Sequence, residues 1–305
     1  MSEQKTCLLL VNTASGNAGK IVDSEYMHER LRGNYAVVHE LRVGDIGDFD
    51  LAAYCDGYDA VAVCGGDGTL NFAVNAVASS QKELLYFPCG TMNDFAHSLK
   101  AACKESKTKS ACRESKTKVV CKEAKTAVDL GDFNGKLFSY VAAAGTFTAI
   151  GYGATVRRKK LFKRLAYCFS ALKEYRVHKI KAKINLDGRA IEGVYTLIMF
   201  VKSSRVFGLN FNKLFRCDSG SGHLLLISSP TGLFKLTKLF CRFYRAFFVG
   251  FKKEADKEGV KYFSFTEAVL ELEKACNFCV DGEKWVSFKR NKVKILKEKV
   301  AITVL

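Results

Sequence analysis

Apolar and polar positions in the first 130 residues follow two alternating patterns. Short, almost continuous apolar runs alternate with stretches whose apolar residues recur at the spacing of one helix face. The predicted strands are Thr6–Val11, Ala36–Leu41, Asp59–Cys64 and Leu84–Phe87, and the predicted helices are Gly19–Arg32 and Leu70–Ala78. Because such helices connect strands that run in the same direction, the pattern predicts βαβ units and a parallel sheet.

From about Thr126 the pattern changes to successive strands with short turns, such as the turn at Asp187-Gly188. The predicted strands are Thr126–Phe133, Leu137–Ala144, His178–Leu186, Ile191–Val201, Leu224–Ser228, Val260–Thr266 and Val269–Val280, with helices near Leu161–Glu174 and Leu233–Phe251. This pattern favours a mainly antiparallel arrangement. We therefore expect an α/β domain over residues 1–130 and a β-rich domain over residues 131–295.

Residues 102–128 contain three tandem copies of one nine-residue unit, which place cysteines at Cys103, Cys112 and Cys121. Nine residues turn a helix by about 900°, so equivalent positions in adjacent copies fall on opposite faces. A strand also changes face over an odd number of residues. No single regular element can therefore bury all three cysteines, and their spacing is not that of zinc ligands. We expect a solvated, lysine-rich insertion rather than a zinc cluster.

Composition and charge narrow the classes of protein that fit this chain. The hydrophobic fraction of 48% is sufficient for packed cores and excludes a wholly disordered chain. Twelve cysteines, without a charged-then-apolar leader, favour a reducing compartment, so we expect a cytoplasmic protein. The net charge of +17 requires an anionic partner, and nucleic acid, anionic lipid or a phosphorylated substrate would each satisfy it. The uncharged run Leu137–Val156 is long enough to span a bilayer, but its glycines and hydroxyl residues favour a strand and loop over a membrane helix.

Two glycine-containing turns follow predicted strands and suggest a phosphate site. The first is Gly65-Gly66-Asp67-Gly68-Thr69, and the second lies in Phe87–Ala96 and supplies a further glycine, hydroxyl, amide and acid. Glycines let backbone N–H groups approach an anion, while a carboxylate and a hydroxyl suit Mg²⁺. Since the strands are expected to be neighbours, both turns should open onto one crevice. An ordinary tight loop is the alternative for either turn taken alone.

Two weaker motifs add to this site. Asn12, Ser15 and Gly16 lie between the first predicted strand and a helix, where they offer donors to a phosphate. Near the other end, Val280-Asp-Gly-Glu283 closes a strand with an acid on each side of the glycine. Taken alone, Asp-Gly predicts a hairpin. Beside the two glycine turns, we interpret one of these carboxylates as a general base for an attacking hydroxyl.

The order of four segments resembles that of the diacylglycerol kinase catalytic family. The segments are Gly65–Thr69, Pro88–Ala96, Val128–Gly131 and Val280–Glu283. The family includes soluble bacterial diacylglycerol kinases, sphingosine and ceramide kinases and a YegS-like lipid kinase branch. The first turn alone is shared with NAD kinases and phosphofructokinases, whereas the second segment combined with the late Asp-Gly-Glu is more specific.

The resemblance implies a role for each matching residue. The ATP phosphates would be held by Gly65, Gly66, Asp67, Gly68 and Thr69, with Thr91 and Asn93 on the nucleotide side. An acidic network linked to Mg²⁺ would be formed by Asp67, Asp94, Asp129 and Glu283, and Asp281 would be the base acting on the lipid hydroxyl. The family also implies that the last strand, around Val300–Leu305, returns to the nucleotide-binding domain, so we assign residues 296–305 to that domain. We expect ATP to lie in the interdomain cleft.

One departure from the family pattern concerns a second cation. Soluble bacterial members commonly carry Asp-Gly-x-Leu-Asp near Asp218, where it supports a structural Mg²⁺. Aligning Gly222 with that glycine places Ser221 and Leu225 at the two acidic positions. The sequence therefore puts the structural Mg²⁺ in doubt, but not the catalytic one.

Basic residues cluster in two segments that suit a membrane surface. Arg157–Arg164 is nearly all cationic, and Phe234–Lys253 combines cations with many aromatic residues and contains no acid. A basic helix with an apolar side favours the headgroup boundary of an anionic membrane. A core helix with a solvated basic face is the alternative for the second segment. Basic-aromatic stretches also bind single-stranded nucleic acid, but the chain lacks an RNA-binding signature, so we expect no nucleic acid partner.

These observations predict an ATP- and Mg²⁺-dependent lipid kinase that docks peripherally on a membrane. Diacylglycerol is the acceptor that we expect first among the candidate lipids. Two other hypotheses stay open: a catalytically silent lipid-binding protein on the same fold, and a kinase for a sphingoid lipid, NAD or a sugar. The sequence does not report the oligomeric state, so a homodimer also stays open.

Overall fold

The protein is described by a computed structural model that covers residues 5–15, 25–43, 50–80, 82–110, 125–146 and 177–305. The chain divides into two compact units. Unit 1 comprises Met1–Val128 and Glu298–Leu305, and unit 2 comprises Asp129–Lys297. Several predicted features lie outside the described residues: Gly16, the predicted helix before Glu25, the repeats over 111–124, the basic run Arg157–Arg164 and the predicted helix Leu161–Glu174.

Unit 1 is built on a parallel sheet whose described strands follow the spatial order β2, β1, β3, β4 and the end of β16. The strands are β1 (Thr6–Asn12), β2 (Val37–Val43), β3 (Ala60–Gly65), β4 (Glu83–Pro88) and β16 (Arg290–Val304). The helices are α1 (Glu25–Arg32), α2 (Leu51–Cys55), α3 (Asp67–Val77) and α4 (Asp94–Ser110). The predicted parallel α/β architecture is therefore confirmed. The last residues of the chain join it, because Ile302–Val304 pair with β4.

The apolar runs of unit 1 form strands because both faces of the sheet are covered. Every residue of β3 is buried, as expected for a central parallel strand. On one face, alternate residues of β1 pack with Met27 and Leu31 of α1. This burial fixes the position of the carboxyl end of β3, from which the first glycine turn leads into α3.

Unit 2 is mainly antiparallel, as the sequence predicts. Its strands are β5 (Lys125–Phe133, which begins in unit 1), β6 (Lys136–Phe138), β7 (Val141–Gly145), β8 (Ile180–Leu186), β9 (Arg189–Val201), β10 (Gly222–Ser228), β11 (Ala255–Lys257), β12 (Val260–Phe265), β13 (Glu267–Leu272), β14 (Asn277–Val280), β15 (Glu283–Val286) and the first half of β16. The central order is β11, β12, β10, β9, β8, β13 and β16, and β7 pairs with both β9 and β14. Helix α5 (Lys235–Tyr244) continues as one π-helical turn over Arg245–Val249.

Two predicted strands of unit 2 are each divided in the structure. Leu137–Ala144 is split into β6 and β7, and Val269–Val280 is split into β13 and β14. The first break has a clear physical cause, because the backbone N–H groups of Ser139, Tyr140 and Val141 donate to the carboxylate of Asp281 instead of a neighbouring strand. The described residues of Leu137–Val156 thus include strands, and no helix in the described part of the chain is long and apolar enough to cross a membrane.

The core of unit 2 contains a buried histidine whose protonation should destabilise the fold. His223 is 2% exposed and stacks on Tyr262, and its Nδ1 accepts a hydrogen bond from Asn212 at 3.2 Å. Burial, and to a smaller extent the charge of Lys202, lower the pKa of His223 from 6.5 to about 3. Between about pH 3 and pH 6.5, the unfolded chain therefore binds a proton on His223 that the folded chain does not bind. We expect the free energy of unfolding to fall by about 1.4 kcal/mol per pH unit, from this group alone, as the pH drops below about 6.5.

Urea unfolding of the wild type and of His223→Phe, at several values between about pH 7 and pH 4, checks this prediction. Phenylalanine keeps the ring stack on Tyr262 but cannot take up the proton. The variant should therefore lose stability less steeply on acidification. Equal slopes for the two proteins would show that His223 is not responsible.

Candidate functional site

The two glycine turns of unit 1 pack directly against each other. The first lies between β3 and α3, whose N-cap residue is Gly66, and the second lies between β4 and α4. The backbone N–H of Cys89 donates to the carbonyl of Gly65 at 2.8 Å. A Cβ placed on Gly90 would lie only 2.6 Å from the Cα of Gly66. The absence of side chains at both positions therefore permits the close contact, and it leaves the first turn of α3 accessible to an anion.

The carboxylate of Asp67 connects the two turns. Its oxygens accept hydrogen bonds from the backbone N–H groups of Asp94 at 3.0 Å and Phe95 at 3.2 Å, so Asp67 caps the first turn of α4. Burial and the nearby Asp94 carboxylate raise the pKa of Asp67 to about 6, although these two N–H groups oppose the change. Two carboxyl groups that repel each other in this way form an environment that a cation would stabilise.

Asn12, Thr69 and Asn93 complete the polar lining in unit 1. The side-chain amide of Asn12 donates to the hydroxyl of Thr69 at 2.9 Å, which leaves the Thr69 hydrogen available for an acceptor such as a phosphate oxygen. Asn93 has a positive φ of 49° and donates to the carbonyl of Gly90, while its Oδ1 is buried without a hydrogen-bond partner. Thr91 is exposed at the same turn.

The structure therefore brings together most of the residues predicted for the nucleotide side. Ser15 lies in the turn after β1, where its N–H donates to the carbonyl of Asn12. Sequence reasoning missed the capping role of Asp67, because a cap taken from another turn cannot be read from local spacing. Among the described residues, no group of three or more His, Cys, Asp or Glu side chains is arranged to hold a metal ion. Mg²⁺ commonly binds through one or two carboxylates plus substrate phosphates, and the repelling pair of Asp67 and Asp94 fits that mode.

In unit 2, Asp281 lies in the hairpin turn between β14 and β15 and is 4% exposed. Its carboxylate accepts hydrogen bonds from four donors, which are the N–H and hydroxyl of Ser139 and the N–H groups of Tyr140 and Val141, at 2.6 to 3.2 Å. Both turn residues, Asp281 and Gly282, have positive φ, as a tight hairpin turn requires. The hairpin predicted from Asp-Gly is therefore present. These donors favour the ionised carboxylate.

A second hairpin of unit 2, at the exposed Asp187, has a similar hydrogen-bond pattern without a predicted chemical role. Asp187 and Gly188 connect β8 to β9 and also have positive φ. The Asp187 carboxylate accepts from the N–H and hydroxyl of Thr266 and from the N–H of Glu267, at 2.7 to 2.8 Å. An aspartate with these hydrogen bonds can therefore anchor a turn without having any catalytic role. The geometry of Asp281 does not by itself identify it as a base.

The other two acids predicted for the Mg²⁺ network are each paired with a lysine in unit 2. Glu283 is half-exposed and forms an ion pair with Lys136 at 2.9 Å. Asp129 is fully buried and forms an ion pair with Lys202 at 2.9 Å. Sequence reasoning missed Lys202, although a lysine directly after the apolar run that ends β9 is a signal of a buried charge that needs a partner.

The fold therefore combines two units. One is a parallel α/β unit with paired glycine turns at the ends of its strands, and the other is a mainly antiparallel β unit. Residues 6–133 match the family model described as diacylglycerol kinase catalytic domain. The diacylglycerol kinase of Staphylococcus carnosus (strain TM300) is 27% identical over 192 residues, which are 61% of this chain and 60% of the relative. The diacylglycerol kinase of Bacillus subtilis (strain 168) is 29% identical over 160 residues, which are 52% and 50%. The aligned part thus spans less than two thirds of either relative.

Solved structures share the fold. The crystal structure of a diacylglycerol kinase from Bacillus anthracis (strain Sterne) has a TM-score of 0.64 at 18% identity and covers 99% of this chain and 97% of that chain. A second structure from this organism has a TM-score of 0.71 at 21% identity and covers 100% and 99%. The fold class is confirmed. The resemblance to the diacylglycerol kinase catalytic family, a family of lipid kinases, is also confirmed.

Proposed function

We propose that the protein is an ATP-dependent lipid kinase, which transfers the γ-phosphoryl group of ATP to a lipid hydroxyl. We propose diacylglycerol as the preferred acceptor, which makes phosphatidic acid the product. The observation that carries it is the pair of glycine turns that pack at Gly66 and Gly90 and share the carboxylate of Asp67, within the segment that matches the catalytic domain.

Unit 1 supplies the nucleotide side in this proposal. Backbone N–H groups of Gly65–Thr69 and the hydroxyl of Thr69 would bind the phosphates, with Thr91 and Asn93 beside them. Asp67 and Asp94 would hold Mg²⁺, which neutralises phosphate charge when it is bound. The roles predicted for Asp129 and Glu283 stay predictions, and each of these acids is already paired with a lysine.

Unit 2 supplies the acceptor side. Asp281 would accept the proton of the lipid hydroxyl while the hydroxyl oxygen bonds to the γ-phosphorus of ATP. The bond from that phosphorus to the bridging oxygen breaks in the same step, and ADP leaves. A base must be ionised before it accepts a proton, and the four donors around Asp281 hold its carboxylate in a fixed orientation. The similarity to Asp187 supports the second candidate, a lipid-binding protein of the same fold without kinase activity.

Phosphate transfer from γ-labelled ATP to lipids in mixed micelles with Mg²⁺ tests the proposal. The panel contains diacylglycerol, monoacylglycerol, sphingosine, ceramide and phosphatidylglycerol. We expect label in diacylglycerol, while label in another lipid would keep the class but change the acceptor. ATP binding without label in any lipid would favour the silent protein. Transfer to NAD or a sugar in the absence of lipid would overturn the lipid assignment.

Helix α5 and its π-helical turn support docking on an anionic membrane. One side of this segment is buried in unit 2 through Leu239, Phe243 and Phe247. Another side exposes an apolar face whose members, with their exposed fractions, are Leu236 (50%), Phe240 (57%), Tyr244 (52%) and Phe248 (61%). Lys235 and Lys238 are exposed on the same helix. We therefore propose that this apolar face enters the headgroup boundary and that the lysines contact anionic lipid.

Cosedimentation with phosphatidylserine-containing vesicles checks this docking. The double variant Phe240→Ser, Phe248→Ser should bind about tenfold more weakly or worse, because each half-exposed ring contributes about 1 kcal/mol when it leaves water. Phe288→Ser is the matched control, since Phe288 is 62% exposed but lies outside the helix. Equal losses in both variants, or equal binding to vesicles of neutral lipid alone, would contradict the proposed surface.

A further inference from the structure

The side chain of Lys202 ends in a cage of oxygen atoms inside unit 2. Its ammonium donates to Asp129 Oδ2 at 2.9 Å, to the carbonyl of Arg216 at 3.2 Å and to the carbonyl of Ser221 at 2.9 Å. An ammonium has three donors, so these contacts use all of them. The side chains of Lys202 and Asp129 are 1% and 0% exposed. Removing a charge from water is costly, and these three hydrogen bonds offset part of that cost.

The same cage fixes the loop that precedes β10. Asp129 Oδ2 also accepts a hydrogen bond from the N–H of Gly220 at 2.7 Å, and the N–H of Asp129 donates to the carbonyl of Cys217 at 2.8 Å. Gly220 has a positive φ of 70°. The loop over residues 216–221 is thus held at both ends by Asp129 and Lys202, in the way that a bound cation gathers carbonyl and carboxylate oxygens.

A divalent ion does not fit the residues of this loop. The two positions at which the family pattern carries acids are Ser221 and Leu225, and Leu225 is fully buried in an apolar cluster. Asp218 is exposed, and the hydroxyl of Ser221 bonds to that of Ser219 instead. The described residues around the loop therefore offer Asp129 as a buried carboxylate, and its Oδ2 is already bonded to the ammonium.

We propose that Lys202 is a built-in cation that replaces a structural metal ion, so that unit 2 holds Asp129 and the 216–221 loop in place without any divalent ion. The positive charge is part of the chain and cannot be removed by a chelator. This inference concerns the folding of unit 2 and does not depend on which lipid, if any, is phosphorylated. Its test is therefore independent of the lipid panel.

The single tryptophan of the chain, Trp285, lies in β15 and reports the unfolding of unit 2 by fluorescence. Thermal unfolding of the full chain without nucleotide is followed in EDTA and in Mg²⁺. For the wild type we expect the same midpoint in both solutions. A midpoint that EDTA lowers and Mg²⁺ restores would show that a structural divalent ion is present, and it would overturn the proposal.

Removing the ammonium should create a need for an added cation. Lys202→Ala leaves Asp129 buried without its charge partner. The thermal unfolding midpoint of this variant should therefore fall by about 6–12 °C. Added propylammonium chloride should recover part of this loss, whereas potassium chloride at equal ionic strength should not. A variant that melts like the wild type, or that recovers equally in both salts, would contradict a cation-specific cage.

A double variant guards against a general packing defect. Lys202→Met combined with Asp129→Asn removes both charges while it retains similar volumes. Replacing a buried ion pair by uncharged groups is often close to neutral, whereas removing one partner is strongly destabilising. We therefore expect the double variant to melt well above Lys202→Met alone. If the two melt together, the loss comes from packing, and the proposal fails.

Discussion

Asp281→Asn should lower the rate of lipid phosphorylation by about 10²- to 10⁴-fold, which corresponds to about 3–5 kcal/mol of transition-state stabilisation. The reason is that an amide cannot accept the proton of the attacking hydroxyl. ATP binding should stay unchanged, because the residues that would bind ATP lie in unit 1, whereas Asp281 lies in unit 2. The turnover rate at saturating ATP and the dissociation constant of ATP, measured by calorimetry, separate these two effects.

The same variant should also lose stability. The substituted side chain would turn an amide group toward the N–H groups of Ser139, Tyr140 and Val141, and one unsatisfied buried donor costs about 1–3 kcal/mol. A lower rate could therefore reflect partial unfolding. Activity is for this reason measured well below the unfolding midpoint of the variant, with the folded fraction checked by Trp285 fluorescence.

Asp187→Asn provides a control within the same unit, with similar hydrogen-bond partners at an exposed hairpin. Its carboxylate has the same kind of partners at the same kind of hairpin, and the hydrogen bonds from Thr266 and Glu267 outweigh burial, so that the pKa of Asp187 lies below its ordinary value. We expect the control to lose some stability and keep its turnover rate. If the folded Asp281→Asn protein also turns over like the wild type, Asp281 is a turn anchor and the base assignment is wrong.

The sequence predicts the architecture well because burial leaves a regular trace in it. Strand β3 is buried throughout, and its sequence is a continuous apolar run. In strand β8, buried and exposed residues alternate, so only one face of the strand is buried. Both patterns follow directly from the side-chain period of a strand. The division between β6 and β7 leaves no such trace, because its cause is a carboxylate 142 residues away in the chain.

The candidate site is predictable in its composition but not in its contacts. Glycine turns after strands identify Gly65–Thr69 and the neighbourhood of Asn93 from local sequence alone. The cap that Asp67 provides for α4 and the ion pair of Asp129 with Lys202 connect positions 27 and 73 residues apart. Such contacts depend on how strands align in space, and residue periodicity carries no information about that alignment. This is why the residues could be named from the sequence while the partners of their carboxylates could not.

Gly90→Ala should weaken ATP binding by at least about tenfold, the second large effect that we expect. The added Cβ would lie 2.6 Å from Gly66 Cα and 2.8 Å from Asn93 Oδ1, distances that force the backbone of the two turns apart. Overpacking of this kind also costs about 1–3 kcal/mol of stability. Both quantities are measured, ATP affinity by calorimetry and stability by urea unfolding.

A graded series shows whether the contact between the turns is the cause. In Gly66→Ala the new Cβ would lie 3.3 Å from Gly90 Cα, so a smaller displacement relieves it and the loss of affinity should be smaller. Gly57→Ala is the control, because its Cβ would meet no atom within 4 Å. The order of lost ATP affinity should therefore be Gly90→Ala, then Gly66→Ala, then Gly57→Ala with no loss. The reverse order, or full ATP affinity in Gly90→Ala, would mean that nucleotide binding does not depend on the packing of these two turns.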